Sequence, residues 1–307
     1  MSGLLEAVIV NHNTSVFAEI ALRSLRWSID RSDLGDRVRI TMVDNHSTDD
    51  TAALHTAIAE CGASWELSRW PIGQQSLTTH GDVLRDFVLA RPDAAAFAFV
   101  ESDMCFFEPD TMAVMSGELL EAADVWAVQA RMLSPGIPPD ESLFATTVRR
   151  RRRALSLTAQ IAIPTDDGGS STMELTHQAR KLPRCHPGCT LVRNSPAFEL
   201  AARHLGFSAS WSWSNDTATG GLHDTLGLVS NVMRTHHRRS RVSGASVIHF
   251  WHGSRLGVTA HHRRLLALLR ANAFDEFKSA ALTGLNPPVS GAGTADMSQA
   301  APERTVS

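Results

Sequence analysis

The sequence predicts an α/β protein with a mostly parallel central sheet and helices on both faces. Three observations carry this. Short apolar runs of strand length alternate with helical patterns through the first half of the chain. The runs are apolar throughout, which fits strands buried on both sides. Three of them end in polar clusters, Asn11–Asn13, Asp44–Ser47 and Glu101–Asp103, and ligands of open parallel sheets bind at such strand ends.

The elements follow in order. Ala7-Val8-Ile9-Val10 reads as a buried strand, after which Thr14 or Ser15 can cap a helix carrying Phe17, Ile20, Ala21, Leu25 and Ser28 at helical spacing. Val38 to Val43 is the second strand. Ser47 or Thr48 is expected to cap a helix from about Asp49 to Cys61, with acidic residues in the first turn favoured by the dipole. A weaker third strand near Trp65–Arg69 precedes a helix from about Thr78 to Ala90, and Ala96–Val100 is the fourth strand. Val125–Met132 reads as another. Residues 133–180 contain proline, glycine and five consecutive arginines, 149–153, and are expected to form a long, partly mobile segment whose arginines lie in a solvated loop. Beyond it the patterns predict a strand at Cys189–Arg193, helices at Pro196–Leu205 and Asp224–Arg234, a strand at Val247–Phe250 and a last helix at His261–Phe277. From about Leu282 the chain is rich in Pro, Gly, Ser and Ala, the composition of a disordered tail.

Composition narrows the function. With 307 residues, 43% hydrophobic and 20% charged, the chain is ordinary globular protein rather than fibrous or disordered. A net charge of -3, from 29 basic and 32 acidic residues, argues against a dedicated nucleic-acid binder. No apolar run approaches the roughly 18 residues needed to span a bilayer. The start MSGLLEAVIV lacks the basic region of a signal peptide, so the expected location is the cytoplasm. Four cysteines at this length do not make a disulfide scaffold. There is no tyrosine, and only Lys181 and Lys278 are lysine, a codon bias that fits a bacterial source.

Candidate chemistry lies at the strand ends. Glu101-Ser102-Asp103 offers two carboxylates beside a turn, and hard divalent cations take oxygen ligands while keeping sites for water and substrate phosphates. Asp103 as a turn cap and a solvated Glu101 is the alternative. Asp44 can accept from a base or ribose, or can start a helix. Neither a Gly-x-Gly-x-x-Gly nor a P-loop is present. Cys185-His186-Pro187-Gly188-Cys189 has C-x3-C spacing, but no second pair with ligand spacing follows, so a strand lead-in is preferred to zinc. Trp211 and Trp213 alternate on one face and suit either sugar stacking or core packing.

The series Val8-Ile9-Val10-Asn11-His12-Asn13, then Val43-Asp44-Asn45-His46-Ser47-Thr48-Asp49-Asp50-Thr51, then Phe99-Val100-Glu101-Ser102-Asp103 resembles the family 2 type glycosyltransferases of the GT-A fold, over roughly residues 6–115. The resemblance implies a Rossmann-like sheet with a C-terminal acceptor-side region. Residues 1–132 would be the nucleotide-sugar-binding half. Residues 133–281 would be the acceptor-binding half, with its mobile loop around 133–180, and 282–307 the tail. Carried over, it implies that Asn13, Asp44, Glu101 and Ser102 face the nucleotide, and that Asp103 ligates Mg²⁺ or Mn²⁺. Glu101 replaces an aspartate of the family and is one methylene longer. His223-Asp224-Thr225 looks like the family's acidic pair at a helix start, which makes Asp224 the general base, with Asp216 the rival. Ile248-His249-Phe250-Trp251-His252 looks like the position of a C-terminal histidine that completes the metal shell, His249 before His252, and Arg255 would neutralise the leaving diphosphate. The expected reaction moves a sugar from a nucleoside diphosphate sugar to a small-molecule acceptor, with inversion. A sugar nucleotidyltransferase and a nucleotide- or glycan-binding protein without transfer are the alternatives. A homodimer is left open.

Overall fold

A computed structural model gives the fold and describes residues 3–70, 76–134, 156–164, 170–178, 185–208, 210–214, 219–223, 225–250 and 257–285. Its centre is an eight-stranded sheet in the order β3-β2-β1-β4-β9-β6-β12-β5. The strands are β1 (Leu5–Asn11), β2 (Val38–Asp44), β3 (Ser64–Leu67), β4 (Ala96–Glu101), β5 (Met104–Cys105), β6 (Val125–Leu133), β9 (Cys189–Arg193) and β12 (Arg239–His249). β1 pairs in parallel with β2 and β4, β2 with β3, and β12 with β6. β9 runs antiparallel between β4 and β6, and β5 runs antiparallel to β12. The mostly parallel α/β architecture is the one the sequence predicts.

Strand periodicity divides the core. On β1, Leu5, Ala7 and Ile9 join one cluster with Ile40 and Met42 of β2 and with α1 (Ser15–Asp30), α2 (Ala52–Glu60) and α4 (Thr111–Leu120). Val8 and Val10 face the other side, where Phe97, Phe99 and Trp126 meet α3 (Ser76–Leu89) and α5 (Pro196–Leu205). Alternation with period two on a strand apolar at every position is what puts both faces under helices. A third cluster packs α1 through Phe17, Ile20 and Trp27 against α7 (Ala260–Arg270) and α8 (Phe274–Leu285), with Ile248 and Phe250 at the end of β12.

The remaining elements among the described residues are a short 3-10 helix (Gly35–Arg37), two antiparallel hairpins and α6 (Gly227–Thr235). β7 (Ser156–Pro164) pairs with β8 (Ser170–Gln178), and β10 (Ser210–Ser214) pairs with β11 (Thr219–His223).

Several local expectations are corrected. The segment 133–180 contains β7 and β8; Leu157, Ala159, Ile161 and Ile163 alternate with Ser156, Thr158 and Gln160, a strand pattern that its glycines and prolines obscure. The arginines 149–153 lie outside the described residues. α2 starts at Ala52, not Asp49, because the preceding residues are held by the ends of β1 and β2; Asp50 Oδ1, not Ser47 or Thr48, receives the Ala52 N–H (3.0 Å). α6 starts at Gly227, behind Leu226 in a left-handed conformation (φ 63°). The last helix is two, broken at Asn272 (φ 54°), since one left-handed residue ends a right-handed helix. The second of them runs to Leu285, so the first residues assigned to the tail are helical.

β12 is longer than its apolar core suggests. Its register shifts between Val242 and Ser246, and two backbone N–H groups there donate to side chains instead of to a strand: Gly244 to Glu118 Oε1 (2.9 Å) and Ser246 to Glu108 Oε2 (3.1 Å).

Candidate functional site

The chain passes from β1 outwards through β2 to β3 and then returns to the other side of β1 as β4. That reversal opens a crevice between the carboxyl ends of β1 and β4, the place where doubly wound sheets bind ligands. The register pairs Val10 with Glu101 and Asn11 with Asp44, so all three polar clusters found in the sequence reach one rim.

On the β1/β2 side the side chains form a polar network. Buried Asn11 directs Nδ2 at Asp44 Oδ1 (3.1 Å), Ser47 Oγ (3.0 Å) and Ser15 Oγ (3.3 Å). Asp44 accepts from the Ser47 hydroxyl and from the Ser47 N–H (3.1 Å). Ser47 therefore holds Asp44 and does not cap a helix. Asn13, at φ 54°, donates its N–H to Ser47 Oγ (3.0 Å) and accepts at Oδ1 from the N–H groups of Thr48 (2.6 Å) and Asp49 (3.3 Å). Asp49 Oδ2 in turn receives the Ser15 N–H (2.9 Å), so the acceptor at the α1 N-terminus is a carboxylate of the neighbouring loop and not the Thr14 hydroxyl. The Thr14 hydroxyl bridges the crevice. It donates to Asn11 Oδ1 (3.0 Å), and having one proton it accepts from Ser102 Oγ (2.8 Å).

On the β4 side Glu101, Asp103 and His249 converge, with one ligand atom from each lying within 4.8 Å of the others. The β12/β5 pairing brings His249 there: His249 is registered with Met104, and Phe250 N–H donates to Asp103 O (3.0 Å). His249 Nε2 is 3.4 Å from Asp103 Oδ2 and 3.7 Å from Glu101 Oε2. Burial works against charge on His249, but the contact with Asp103 and the field of both carboxylates outweigh it and raise its pKa. The same negative field favours a metal cation. Two carboxylates and an imidazole suit Mg²⁺ or, with the nitrogen ligand, Mn²⁺, so the donor set fits the ion the sequence led us to expect.

A neighbour missed as a site residue is His186. Its Nδ1 lies 3.7 Å from Glu101 Oε1, and the rings of His186 and His249 are 6.3 Å apart. It sits there because antiparallel β9 brings its own lead-in back to the carboxyl end of β4. Cys185 and Cys189, flanking it, are buried free thiols, and burial pushes Cys189 up to about 12. Among the described residues neither belongs to a metal-ligating group.

The structure thus brings Asn13, Asp44, Glu101, Ser102, Asp103 and His249 to one rim. Asp224, Asp216, His252 and Arg255 lie outside the described residues, as do the side chains of Trp211 and Trp213.

The fold and this rim define an α/β protein with a candidate divalent-cation site at a sheet's switch point. No family model and no curated protein sequence matches the chain. Solved structures similar to it include those of a glucosyl-3-phosphoglycerate synthase and a mannosyltransferase. A glucosyl-3-phosphoglycerate synthase of M. tuberculosis is 21% identical over 43% of this chain and 45% of that one, under half its length, with a TM-score of 0.33. The same Mycobacterium tuberculosis enzyme in complex with phosphoglyceric acid is 14% identical over 95% and 83%, with a TM-score of 0.46. A mannosyltransferase from Pyrobaculum calidifontis, in complex with GDP-Man and Mn²⁺, is 12% identical over 91% and 69%, also at 0.46. Among the described residues no helix is long and apolar enough to cross a membrane.

Proposed function

We propose that the chain is a divalent-metal-dependent glycosyltransferase that moves a sugar from a nucleoside diphosphate sugar to a small-molecule acceptor with inversion. The observation that carries the reading is the convergence of Glu101, Asp103 and His249 at the switch-point crevice, beside the polar network of Asn11, Asp44 and Ser47. Glu101, Asp103 and His249 would hold the ion, which when bound supplies charge stabilisation to a leaving diphosphate. The contacts among Asn11, Asp44 and Ser47 hold these side chains in fixed positions beside the crevice. Ser102, tied to Thr14, keeps the two sides of the crevice at a constant separation.

In this reading Asp224 takes the proton of the acceptor hydroxyl as its oxygen attacks the anomeric carbon. The bond from that carbon to the diphosphate oxygen breaks, and Arg255 offsets the charge that develops. Residues 1–132 hold the donor and 133–281 the acceptor. We place the protein in the cytoplasm of a bacterium.

The test is calorimetric titration with UDP, GDP and dTDP, each with Mn²⁺ and with EDTA, followed by transfer assays using the sugar nucleotide of the base that binds. Metal-dependent binding of one nucleotide with subsequent transfer supports the reading. Binding without transfer turns it into a nucleotide-binding protein, and no binding by folded protein overturns it.

A further inference from the structure

Ser102-Asp103 is the short link between β4 and β5, and with Glu101 before it one turn carries both carboxylates of the metal centre. That turn is held from several sides. Towards β9 the Glu101 N–H donates to Gly188 O (2.8 Å), and towards β12 the Phe250 N–H donates to Asp103 O (3.0 Å). Both are main-chain contacts. Towards β1 the tie is a side-chain one, between the hydroxyls of Ser102 and Thr14 (2.8 Å). Thr14 occupies the N-cap position of α1, where a threonine hydroxyl ordinarily accepts from the first turn of its own helix. It makes no such bond, and Asp49 Oδ2 takes the Ser15 N–H instead (2.9 Å). The hydroxyl is spent elsewhere. Its single proton goes to Asn11 Oδ1 (3.0 Å), because the Asn11 nitrogen is turned to Asp44 (3.1 Å) and Ser47 (3.0 Å) and its oxygen can only accept. The remaining bond must then run from Ser102 to Thr14. Donors therefore point one way, from Ser102 through Thr14 and Asn11 to the Asp44 carboxylate, and each bond in such a chain polarises the next.

We propose that Thr14 is a positioning residue for the metal centre: through Ser102 it holds the Glu101–Asp103 turn where both carboxylates can reach one cation. The need is electrostatic. Glu101 and Asp103 offer ligand oxygens within 4.8 Å of each other, and like charges that close push apart. A turn free to yield would relax outwards, and the ion would have to gather it again at a cost in affinity. The Ser102 tie resists this between the two carboxylates, at a residue that the main-chain bonds of Glu101 and Asp103 do not reach. Its far end is firm, since Asn11, to which Thr14 donates, is fully buried and bonded in turn to Asp44. The metal centre is in this way braced against the β1/β2 side of the crevice as well as against β9 and β12. Groups that orient metal ligands typically matter by about 10–100-fold in metal affinity, and Thr14, acting through the residue between the ligands, belongs at the low end. This inference rests on the metal centre of the proposed function.

The experiment is Mn²⁺ binding by electron paramagnetic resonance, with the metal alone, on wild type, Thr14→Val, Thr14→Ser, Ser102→Ala and the Thr14→Val/Ser102→Ala double variant, each checked for folding by thermal melting. Valine keeps the shape of threonine without the hydroxyl, and serine keeps the hydroxyl. Ser102→Ala is the gentler break, since it leaves Thr14 bonded to Asn11, whereas Thr14→Val also strips the buried Asn11 oxygen of a donor. Each should weaken Mn²⁺ binding about tenfold. The double variant should lose no more than Thr14→Val alone, and Thr14→Ser should stay within about twofold of wild type. An unchanged affinity in either folded single variant, Thr14→Val or Ser102→Ala, overturns the proposal and leaves the metal centre standing. So does a double variant whose loss is the product of the two single losses, because the hydroxyls would then act independently. Failure of Thr14→Ser to bind Mn²⁺ better than Thr14→Val also overturns it. Absence of Mn²⁺ binding by wild type overturns the metal centre and this inference with it.

Discussion

His249 Nε2 stands 3.4 Å from Asp103 Oδ2, though the two residues are far apart in sequence, and a main-chain bond from Phe250 N–H to Asp103 O locks the segments that carry them. The backbone contact does not depend on the Asp103 side chain. Asp103→Ala should therefore leave the melting temperature nearly unchanged while lowering Mn²⁺ affinity and transfer by at least about 100-fold, the scale of losing a transition-state charge contact. Full transfer in that variant would remove the metal role.

Asp224→Asn tests the base separately. If Asp224 accepts the acceptor proton, turnover should fall by about 100-fold or more while nucleotide affinity stays within about twofold. Equal turnover in the variant would move the role to Asp216 or elsewhere.

Asn11 is buried and donates towards a carboxylate, so the sign of its substitution is fixed by charge. Asn11→Asp would set a second carboxylate about where a donor now sits, 3.1 Å from Asp44 Oδ1. Denaturant unfolding should show a loss of about 3 kcal/mol or more at pH 7, as for other uncompensated buried charges, and less at pH 4 where one of the pair takes a proton. A neutral effect at pH 7 would mean that the network is open to water.

Gly81 of α3 meets the turn after α5 with no room for a side chain. A Cβ would lie 2.4 Å from the backbone of Ser208. The Ser208 hydroxyl already donates to Asp82 Oδ1 (2.6 Å), so the turn is held from retreating. Gly81→Ala should cost about 1–3 kcal/mol by overpacking, despite alanine's better helix propensity, and a stabilised variant would contradict the contact.

His262 closes a reciprocal cap at the start of α7. Its N–H donates to Thr259 Oγ1 (3.3 Å) and its Nδ1 accepts the Thr259 N–H (3.1 Å), with the ring edge-on to Phe17 and Phe250. Burial, with the nearby His261 and Arg263, lowers its pKa from 6.5 to about 4. A protonated Nδ1 cannot accept. Above pH 6.5 the ring is neutral folded or unfolded. Below it the unfolded chain binds the proton first, so stability should fall as pH drops from about 6.5 towards 4. His262→Gln keeps a cap-competent side chain without the proton, and its stability should depend less on pH across that window. Identical slopes would assign the acid sensitivity to other groups.

Much of this was legible in the sequence because it is local. Apolar runs of strand length gave β1, β2 and β4, and the polar residues ending them gave the rim. His249 was legible only through a resemblance, since its approach to Asp103 depends on the antiparallel β12/β5 contact, which no periodicity encodes. His186 was passed over for the same reason: C-H-P-G-C reads as ligand spacing or a lead-in, and only the insertion of antiparallel β9 beside β4 turns it towards Glu101. The caps failed in an instructive way. Ser47, Thr14 and Asp49 are the residue types that cap their own helices, but at a switch point they bind across to neighbouring strands, where buried acceptors compete for the same hydroxyls and N–H groups.

Among the described residues the sheet ends on the β12 side with a two-residue strand, so much of β12 has no described strand beyond it. Exposed strand backbone of that kind is where sheets of separate molecules join and grow into aggregates. Glu108 and Glu118 occupy the N–H groups of Ser246 and Gly244, and the repulsion between carboxylates would meet any second copy that tried to dock there. Removing either glutamate would free one strand N–H on the flank that leads to His249.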